Sequence, residues 1–300
     1  MTQDTSIQIS GLSKQYAKHL PYALNSLNLS VKKGEVFGFL GPNGAGKSTT
    51  IRLLLNFIQP TKGSATIMGS DIVKDSVDIR SKVSYLSGDF KAYDKMTGRQ
   101  FLDYMSSLGA TKSKKYITEL AQKFEISLSK KIGDLSKGNR QKLGIIQAFM
   151  TDPDLYILDE PTDGLDPLKQ EIFYQLVREN KKRGKTFFIS SHNLAEVRKI
   201  CDKVGIIKAG KLVSESSISD LALEASHTFL ITFKGPPPRT KLNQLKGIKA
   251  VPSGQNSLRV HAHGDLTPLL KTLSNYSVSR LSTESLSLEE EFMKFYEGDK

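Results

Sequence analysis

From about residue 7 to residue 217 the chain alternates short apolar runs with amphipathic stretches. Residues 7–9, 28–31 and 64–67 read as early strands, the last followed by a turn at Met68-Gly69, and residues 35–40 and 83–86 read as further strands. Residues 49–57 place apolar side chains at helical spacing, and residues 97–150 predict a mostly helical insert. Two more apolar strands follow at 155–158 and 186–190, after the turn or helix-end residues Asp152-Pro153 and Arg183-Gly184-Lys185. Residues 204–207 and 212–213, joined by Lys208-Ala209-Gly210-Lys211, predict a hairpin. Strands that are apolar on both faces and separated by helices imply a parallel sheet covered on both sides.

The pattern changes near residue 227. Phe229-Leu230-Ile231-Thr232-Phe233 predicts a strand, and Lys234-Gly235-Pro236-Pro237-Pro238 a turn between strands. Alternation over 257–263 predicts another strand, 266–274 a helix and 287–296 a capped terminal helix. The expected division is one domain over residues 1–222, with its helical part at about 97–150, and a small α+β domain over residues 226–300.

Gly41-Pro42-Asn43-Gly44-Ala45-Gly46-Lys47-Ser48 is a complete G-x-x-x-x-G-K-[ST] pattern, set between a predicted strand and a predicted helix. Glycines at this spacing let the backbone curl so that its N–H groups point into a concavity sized for phosphate. Lys47 then reaches the β and γ phosphates, Ser48 offers a hydroxyl to Mg²⁺, and the helix that begins near Gly46 presents its positive end to the anion. With Thr49, these residues form the expected ATP-binding segment; a glycine-rich turn without a ligand is the bland alternative.

A triphosphate hydrolase also needs a carboxylate for Mg²⁺ and a base for water. Both stand at the end of Leu155-Tyr156-Ile157-Leu158-Asp159-Glu160. Asp159 is the expected metal-side carboxylate, acting through water, and Glu160 the expected general base. Adjacent carboxylates at a buried strand end are costly without a cation to balance them.

Composition narrows the choices. With 38% hydrophobic and 25% charged residues, the 300-residue chain has the composition of a folded globular protein. No run approaches the roughly 20 apolar residues of a membrane-spanning helix, and Met1-Thr2-Gln3-Asp4 opens no signal-peptide pattern, so a cytosolic location is expected. Forty-three Lys and Arg against 31 Asp and Glu give +12, which suits an acidic partner. The basic residues form no dense block with interleaved aromatics, so nucleic acid is not the expected partner. Cys201 is the one cysteine, so no intrachain disulfide forms. His261 and His263 alternate on one predicted strand, but no third ligand lies near them in sequence.

Pro161-Thr162-Asp163-Gly164-Leu165-Asp166-Pro167 follows Glu160 directly, and a second strand ends at Ser190-Ser191-His192. In this order the motifs resemble the ATP-binding subunits of ABC transporters. The resemblance implies a P-loop NTPase core with a mainly parallel sheet, an antiparallel β subdomain and a helical subdomain, followed by a small α+β domain. It implies that His192 contacts the γ-phosphate and that Asp166 lies in a loop communicating across a dimer. Leu135-Ser136-Lys137-Gly138-Asn139 is similar to the family's signature, with Lys137 and Asn139 departing from the usual pattern. Ser136 and Gly138 would meet the γ-phosphate of the other subunit's ATP, while a plain helix cap is the other role open to Ser136. Tyr16 stands where the family places a ring that stacks on adenine, a buried core tyrosine being the alternative. Gly88 stands where the family usually has a glutamine that senses Mg²⁺ and water. The tail from Ser287 to Met293 resembles the terminal helix of exporter-type subunits, an ordinary amphipathic helix with Leu288, Phe292 and Phe295 on one face being the equal alternative.

The resemblance further implies an ATPase that dimerises, with itself or with a similar subunit, around two ATP·Mg²⁺. Its work would pass to a separate integral membrane permease, docked on the helical insert and on the loop around residues 88–96, which places the chain on the cytoplasmic face of the membrane. A soluble ABC ATPase acting on ribosomes or DNA is the rival. The phosphate loop occurs once, and the insert carries no sustained heptads, which favours transport. A regulatory module with little turnover is a third possibility, against which the retained Glu160 and His192 argue.

Overall fold

Three apolar strands with their carboxyl ends in line set the architecture of the first of two units, Met1–Ser216 and Ser217–Lys300. The computed structural model describes residues 4–109, 111–220, 227–262 and 264–284. In chain order the first unit contains β1 (Thr5–Lys14), β2 (Leu24–Lys32), β3 (Val36–Leu40), α1 (Lys47–Leu54), β4 (Lys62–Ile67), β5 (Ser70–Asp71), α2 (Ser76–Lys82) and β6 (Val83–Leu86). Then come α3 (Gly98–Ser107), α4 (Lys114–Lys123), α5 (Lys137–Phe149), β7 (Leu155–Asp159), α6 (Pro167–Lys182), β8 (Thr186–Ser191), α7 (Leu194–Ile200), β9 (Lys203–Lys208) and β10 (Lys211–Ser217).

One sheet has the order β10-β9-β3-β8-β7-β6, and its pairs β9/β3, β3/β8, β8/β7 and β7/β6 are parallel. Every residue of β3, β7 and β8 is buried. Alternate residues serve the two faces, which is why these strands are apolar throughout. Phe188 and Ile157 join Phe37, Phe39, Ile51 and Leu54 on one side. On the other, the rings of Tyr156 and Phe187 stack at 4.6 Å, and Phe149 of α5 lies 4.9 Å from Tyr156. A second, antiparallel sheet of order β2-β1-β4-β5 closes over the first face, with Ile7 paired to both Val31 and Ile67. Leu40 lies beside Ser191 and Asp159 beside Ser190, so β3, β7 and β8 finish at one level. In an open α/β sheet that edge is where ligands bind.

Local chemistry sets the ends of the helices. Thr97 and Gln100 form a capping box at α3, while Ser113, Ser136, Asp166 and Asn193 cap α4 to α7 through their side-chain oxygens. Helix α1 stops at Leu54, earlier than the expected residue 57, because Asn56 takes the left-handed conformation at φ 54°. The turn Ala209-Gly210 has φ of 46° and 76°, the positive pair that a two-residue hairpin requires.

The second unit runs β11 (His227–Phe233), a helix at Arg239–Asn243, β12 (Ile248–Pro252), β13 (Ser257–Ala262), a helix at Thr267–Leu273 and β14 (Val278–Glu284). Its sheet order is β12-β13-β11-β14 with antiparallel pairs throughout, the split β-α-β-β-α-β arrangement. Phe229, Ile231, Phe233, Leu258 and Val260 meet Leu242, Leu269 and Leu273 in its core. The proline triplet does not join two strands as expected: Pro238 caps the helix at Arg239–Asn243, where a proline's fixed φ suits a helix entry. The expected terminal helix at 287–296 and His263 lie outside the described residues. Among the described residues no helix is long and apolar enough to cross a membrane.

The Tyr156 hydroxyl is buried with no hydrogen-bond partner among the described residues, and burial raises its pKa far above the ordinary phenol value. Removing an unsatisfied polar atom while keeping the ring should cost nothing and recover up to about 1–2 kcal/mol. Tyr156→Phe is therefore expected to match or exceed the wild-type urea midpoint, whereas Tyr156→Ala should lose about 3–5 kcal/mol by opening the stack. A loss above about 1 kcal/mol in the phenylalanine variant would show that the hydroxyl is engaged.

Candidate functional site

The loop between β3 and α1 is shaped by glycines that no other residue can replace in place. A Cβ on Gly41 would lie 2.5 Å from the Ile207 carbonyl oxygen, and one on Gly46, at φ 113°, would lie 2.8 Å from the Ala23 carbonyl oxygen. Asn43 and Gly44 are exposed, Pro42, Ser48 and Thr49 half-buried, and Ala45 is buried. The first N–H groups of α1 have no partner within the helix and, with its dipole, favour an anion at this end.

Lys47, 5% exposed, opens α1. Its Nζ donates to the carbonyls of Gly41 at 2.5 Å and Pro42 at 3.1 Å, and lies 3.1 Å from Glu160 Oε1. Glu160 follows the last residue of β7 with φ 48°, a conformation that costs a non-glycine residue about 1–3 kcal/mol. The strain is held by β8: the Glu160 N–H donates to both the carbonyl and the hydroxyl of Ser190, at 3.2 and 3.1 Å. The same hydroxyl donates to Asp159 Oδ1 at 2.5 Å, so Ser190 holds the Asp159 carboxylate and the Glu160 backbone together. Glu160 Oε2 lies 2.8 Å from His192 Nδ1 and accepts from the His192 N–H at 3.3 Å. Lys47, Glu160 and His192 thus form one chain of charge-assisted contacts across the ends of β3, β7 and β8, with Asp159 beside it.

Tyr16 is 51% exposed, so it is not a core tyrosine. Its hydroxyl is 3.3 Å from Thr49 Oγ1, and the Lys14 ammonium lies 5.5 Å from its ring centre, beside the phosphate loop. The segment Leu135 to Asn139 stands apart from this chain. Ser136 Oγ accepts from the Asn139 N–H at 3.3 Å as the cap of α5, and Lys137 pairs with Asp163 at 2.6 Å, which raises the lysine pKa. A Cβ on Gly138 would lie 2.5 Å from the Gly164 carbonyl oxygen. Among the described residues, the segment's hydrogen bonds and ion pairs do not reach the phosphate loop. Asp166 caps α6 by accepting from the Lys169 N–H at 3.1 Å.

Three residues to which sequence reasoning gave no role, Ser190, Gln141 and Glu196, bind the site together. Besides Ser190, Gln141 of α5 donates to the carbonyls of Glu160 at 3.2 Å and Pro161 at 2.9 Å. Glu196 of α7 accepts from Thr162 and Ser191. The available signal was the polar pair Ser190-Ser191 closing an otherwise apolar strand. At Gly88 the backbone packs directly on β7, since a Cβ there would lie 3.2 Å from the Asp159 carbonyl oxygen and 3.5 Å from its Oδ2. Asp89 points outward, paired with Lys91 at 3.0 Å with both side chains exposed.

The family model described as ABC transporter matches residues 24–163. The chain is 34% identical over 213 residues to the ABC transporter ATP-binding protein NatA of Bacillus subtilis, covering 69% of this chain and 87% of that protein. It is 31% identical over 307 aligned positions to YcbN of the same organism, described as an uncharacterized ABC transporter ATP-binding protein, covering 98% and 97% of the two chains. A bacterial ABC transporter cassette solved as a dimer superposes with a TM-score of 0.64 at 25% identity, covering 71% of this chain and 98% of that one.

A hydrogen bond to a charged group contributes about 1.5–3 kcal/mol, which is about 10- to 100-fold in affinity. Lys47→Ala is expected to weaken ATP binding by that factor or more in a fluorescence titration; unchanged affinity would remove Lys47 from the phosphate site.

Proposed function

The chain belongs to the ABC transporter family of ATP-binding proteins and is an ATPase of that family, and we propose that it powers a separate integral membrane permease, closing with a second ATP-binding subunit around two ATP·Mg²⁺ and driving export. The observation that carries this is the continuous chain Lys47–Glu160–His192 at the ends of three adjacent strands. In this scheme Gly41, Pro42, Asn43, Gly44, Ala45, Gly46, Lys47, Ser48 and Thr49 cradle the triphosphate, and Tyr16 stacks on the adenine. Glu160 takes the proton of the attacking water, and His192, held through Nδ1 by Glu160, meets the γ-phosphate through its other nitrogen.

Among the described residues, no group of three or more His, Cys, Asp or Glu could hold a metal unaided. That suits Mg²⁺, which takes one or two protein oxygens and completes its shell with phosphate and water. Ser48 and, through water, Asp159 would hold it, and when bound it would neutralise charge on the phosphates.

Leu135, Ser136, Lys137, Gly138 and Asn139 would serve the partner subunit's ATP, with Asp166 in the loop between the two sites. Support for a dimer comes from the similar bacterial ABC transporter cassette solved as one. Support for the permease comes from a groove of about 570 Å³ lined by Tyr85, Phe90, Tyr93, Phe101 and Met105. Tyr93 in its lining is 57% exposed, an apolar surface suited to a membrane partner's cytoplasmic helix. The export direction rests on the likeness of the segment from Ser287 to Met293 to exporter-type subunits. Residues 1–222 would be the ATP-binding domain and residues 226–300 an accessory one.

Affinity purification from gently solubilised membranes is expected to bring down a stoichiometric multi-span protein; ribosomal or DNA-associated partners without a permease would overturn the transport role. Glu160→Gln is expected to lower ATP turnover by about 10²- to 10⁴-fold and to accumulate ATP-bound dimers on gel filtration. Rapid turnover by that variant would remove Glu160 as the base.

A further inference from the structure

We propose, building on the roles assigned above to Glu160 and His192, that Glu196 is a positioning residue for hydrolysis, clamping the loop that follows Glu160 to the strand end that carries His192. Glu196 lies in the first turn of α7 and is 3% exposed. Its Oε1 accepts from the Thr162 hydroxyl at 2.7 Å and its Oε2 from the Ser191 hydroxyl at 2.6 Å. Thr162 and Ser191 are themselves buried; the Ser191 hydroxyl also accepts from the Asn193 N–H at 3.0 Å, whereas the Thr162 hydroxyl is satisfied through Glu196.

The two arms reach different parts of the site. Thr162 stands two residues after Glu160, and its carbonyl accepts from the Leu165 N–H at 3.0 Å, just before Asp166. Ser191 immediately precedes His192, and its carbonyl accepts from the N–H of Gly41 at 3.1 Å, the first residue of the phosphate loop. One carboxylate therefore ties together the base, the histidine, the phosphate loop and the loop expected to face the second subunit. Neighbouring serines divide the work: Ser190 holds Asp159 and Glu160, while Ser191 holds Glu196. Burial raises the Glu196 pKa, and the two hydroxyl donors oppose that shift by favouring the acceptor-only carboxylate. Glu196 touches neither Lys47 nor His192 through a hydrogen bond, so its effect passes through the loops.

The test is steady-state ATP hydrolysis by the full chain carrying Glu196→Ala, Glu196→Gln or Thr162→Val, each checked by thermal unfolding. Displacement of reacting groups by about 1 Å costs about 100-fold. Glu196→Ala is expected to lower kcat about 10- to 100-fold while KM for ATP moves less than about 3-fold. Glu196→Gln, which can accept one hydroxyl bond and donate the other, should stay within about 3-fold of wild type. Thr162→Val, which cuts one arm at constant shape and remains informative if the alanine variant unfolds, should lower kcat about 3- to 10-fold and add nothing in the Glu196→Ala background. A kcat within 2-fold of wild type for a folded Glu196→Ala, a loss expressed only in KM, or equal damage from glutamine and alanine overturns the clamp. A wild-type chain without turnover overturns the assignment of Glu160 and His192 as well, which separates the two failures.

Discussion

The buried ion pair between Lys47 and Glu160 is the interaction around which the first unit is organised. The Lys47 and Glu160 side chains are 6% and 18% exposed, and the cost of withdrawing charge from water, several kcal/mol for a fully buried ion, has to be met by close pairing. The geometry here is supplied from three strands at once. β3 delivers Lys47 through a loop whose own Gly41 and Pro42 carbonyls receive the ammonium, β7 delivers Glu160, and β8 delivers Ser190 and His192 to its far side. A shift of any one strand by a residue would leave a buried charge unpaired. The layers of Phe149, Tyr156 and Phe187 on one face and Phe37, Phe39 and Phe188 on the other therefore do more than fill space, because they fix the register on which the pair depends.

Those parts of the molecule were legible in the sequence to the extent that their chemistry is local. The phosphate loop can be read because its glycine spacing is dictated by backbone geometry over consecutive residues, and the buried strands because both faces demand apolar side chains. Asp159 and Glu160 could be singled out because two carboxylates closing an apolar run are costly without a partner. Gln141 and Glu196 were invisible for the complementary reason: the groups they hold at Glu160, Pro161 and Thr162 lie 19 to 34 residues away, whereas Ser190 was signalled only by the polar pair that closes an apolar strand. In the second unit β12 escaped notice because Ile248-Lys249-Ala250-Val251-Pro252 is five residues long and includes alanine and proline, weak strand formers. The short helix at Arg239–Asn243 was hidden behind the proline run that begins it.

Gly88 shows a departure from the family pattern with a structural counterpart. A side chain at this position would need the Asp159 backbone to give by a few tenths of an ångström, so Gly88 itself packs against Asp159 through main chain. The adjacent Asp89 is committed to Lys91 at the surface rather than turned inward. Movement of the backbone at Gly88, between the groove at Tyr85 and Phe90 and the end of β7, would therefore be felt directly at Asp159.

The same economy of contacts bears on the proposed dimer. Within one chain the start of α5 is fastened to the loop after β7, through Lys137 and Asp163, through the close approach of Gly138 to Gly164, and through Gln141 to the carbonyls of Glu160 and Pro161. Movement of the Glu160 loop is thus movement of the α5 cap as well. If Ser136 serves a nucleotide held by the other subunit, each chain reports the state of its own base to its partner's triphosphate through contacts already present in the monomer. The exposed Lys137–Asp163 pair contributes little stability by itself. Its value in this scheme lies in coupling, since it joins the signature segment to the loop that Glu196 holds from the opposite side.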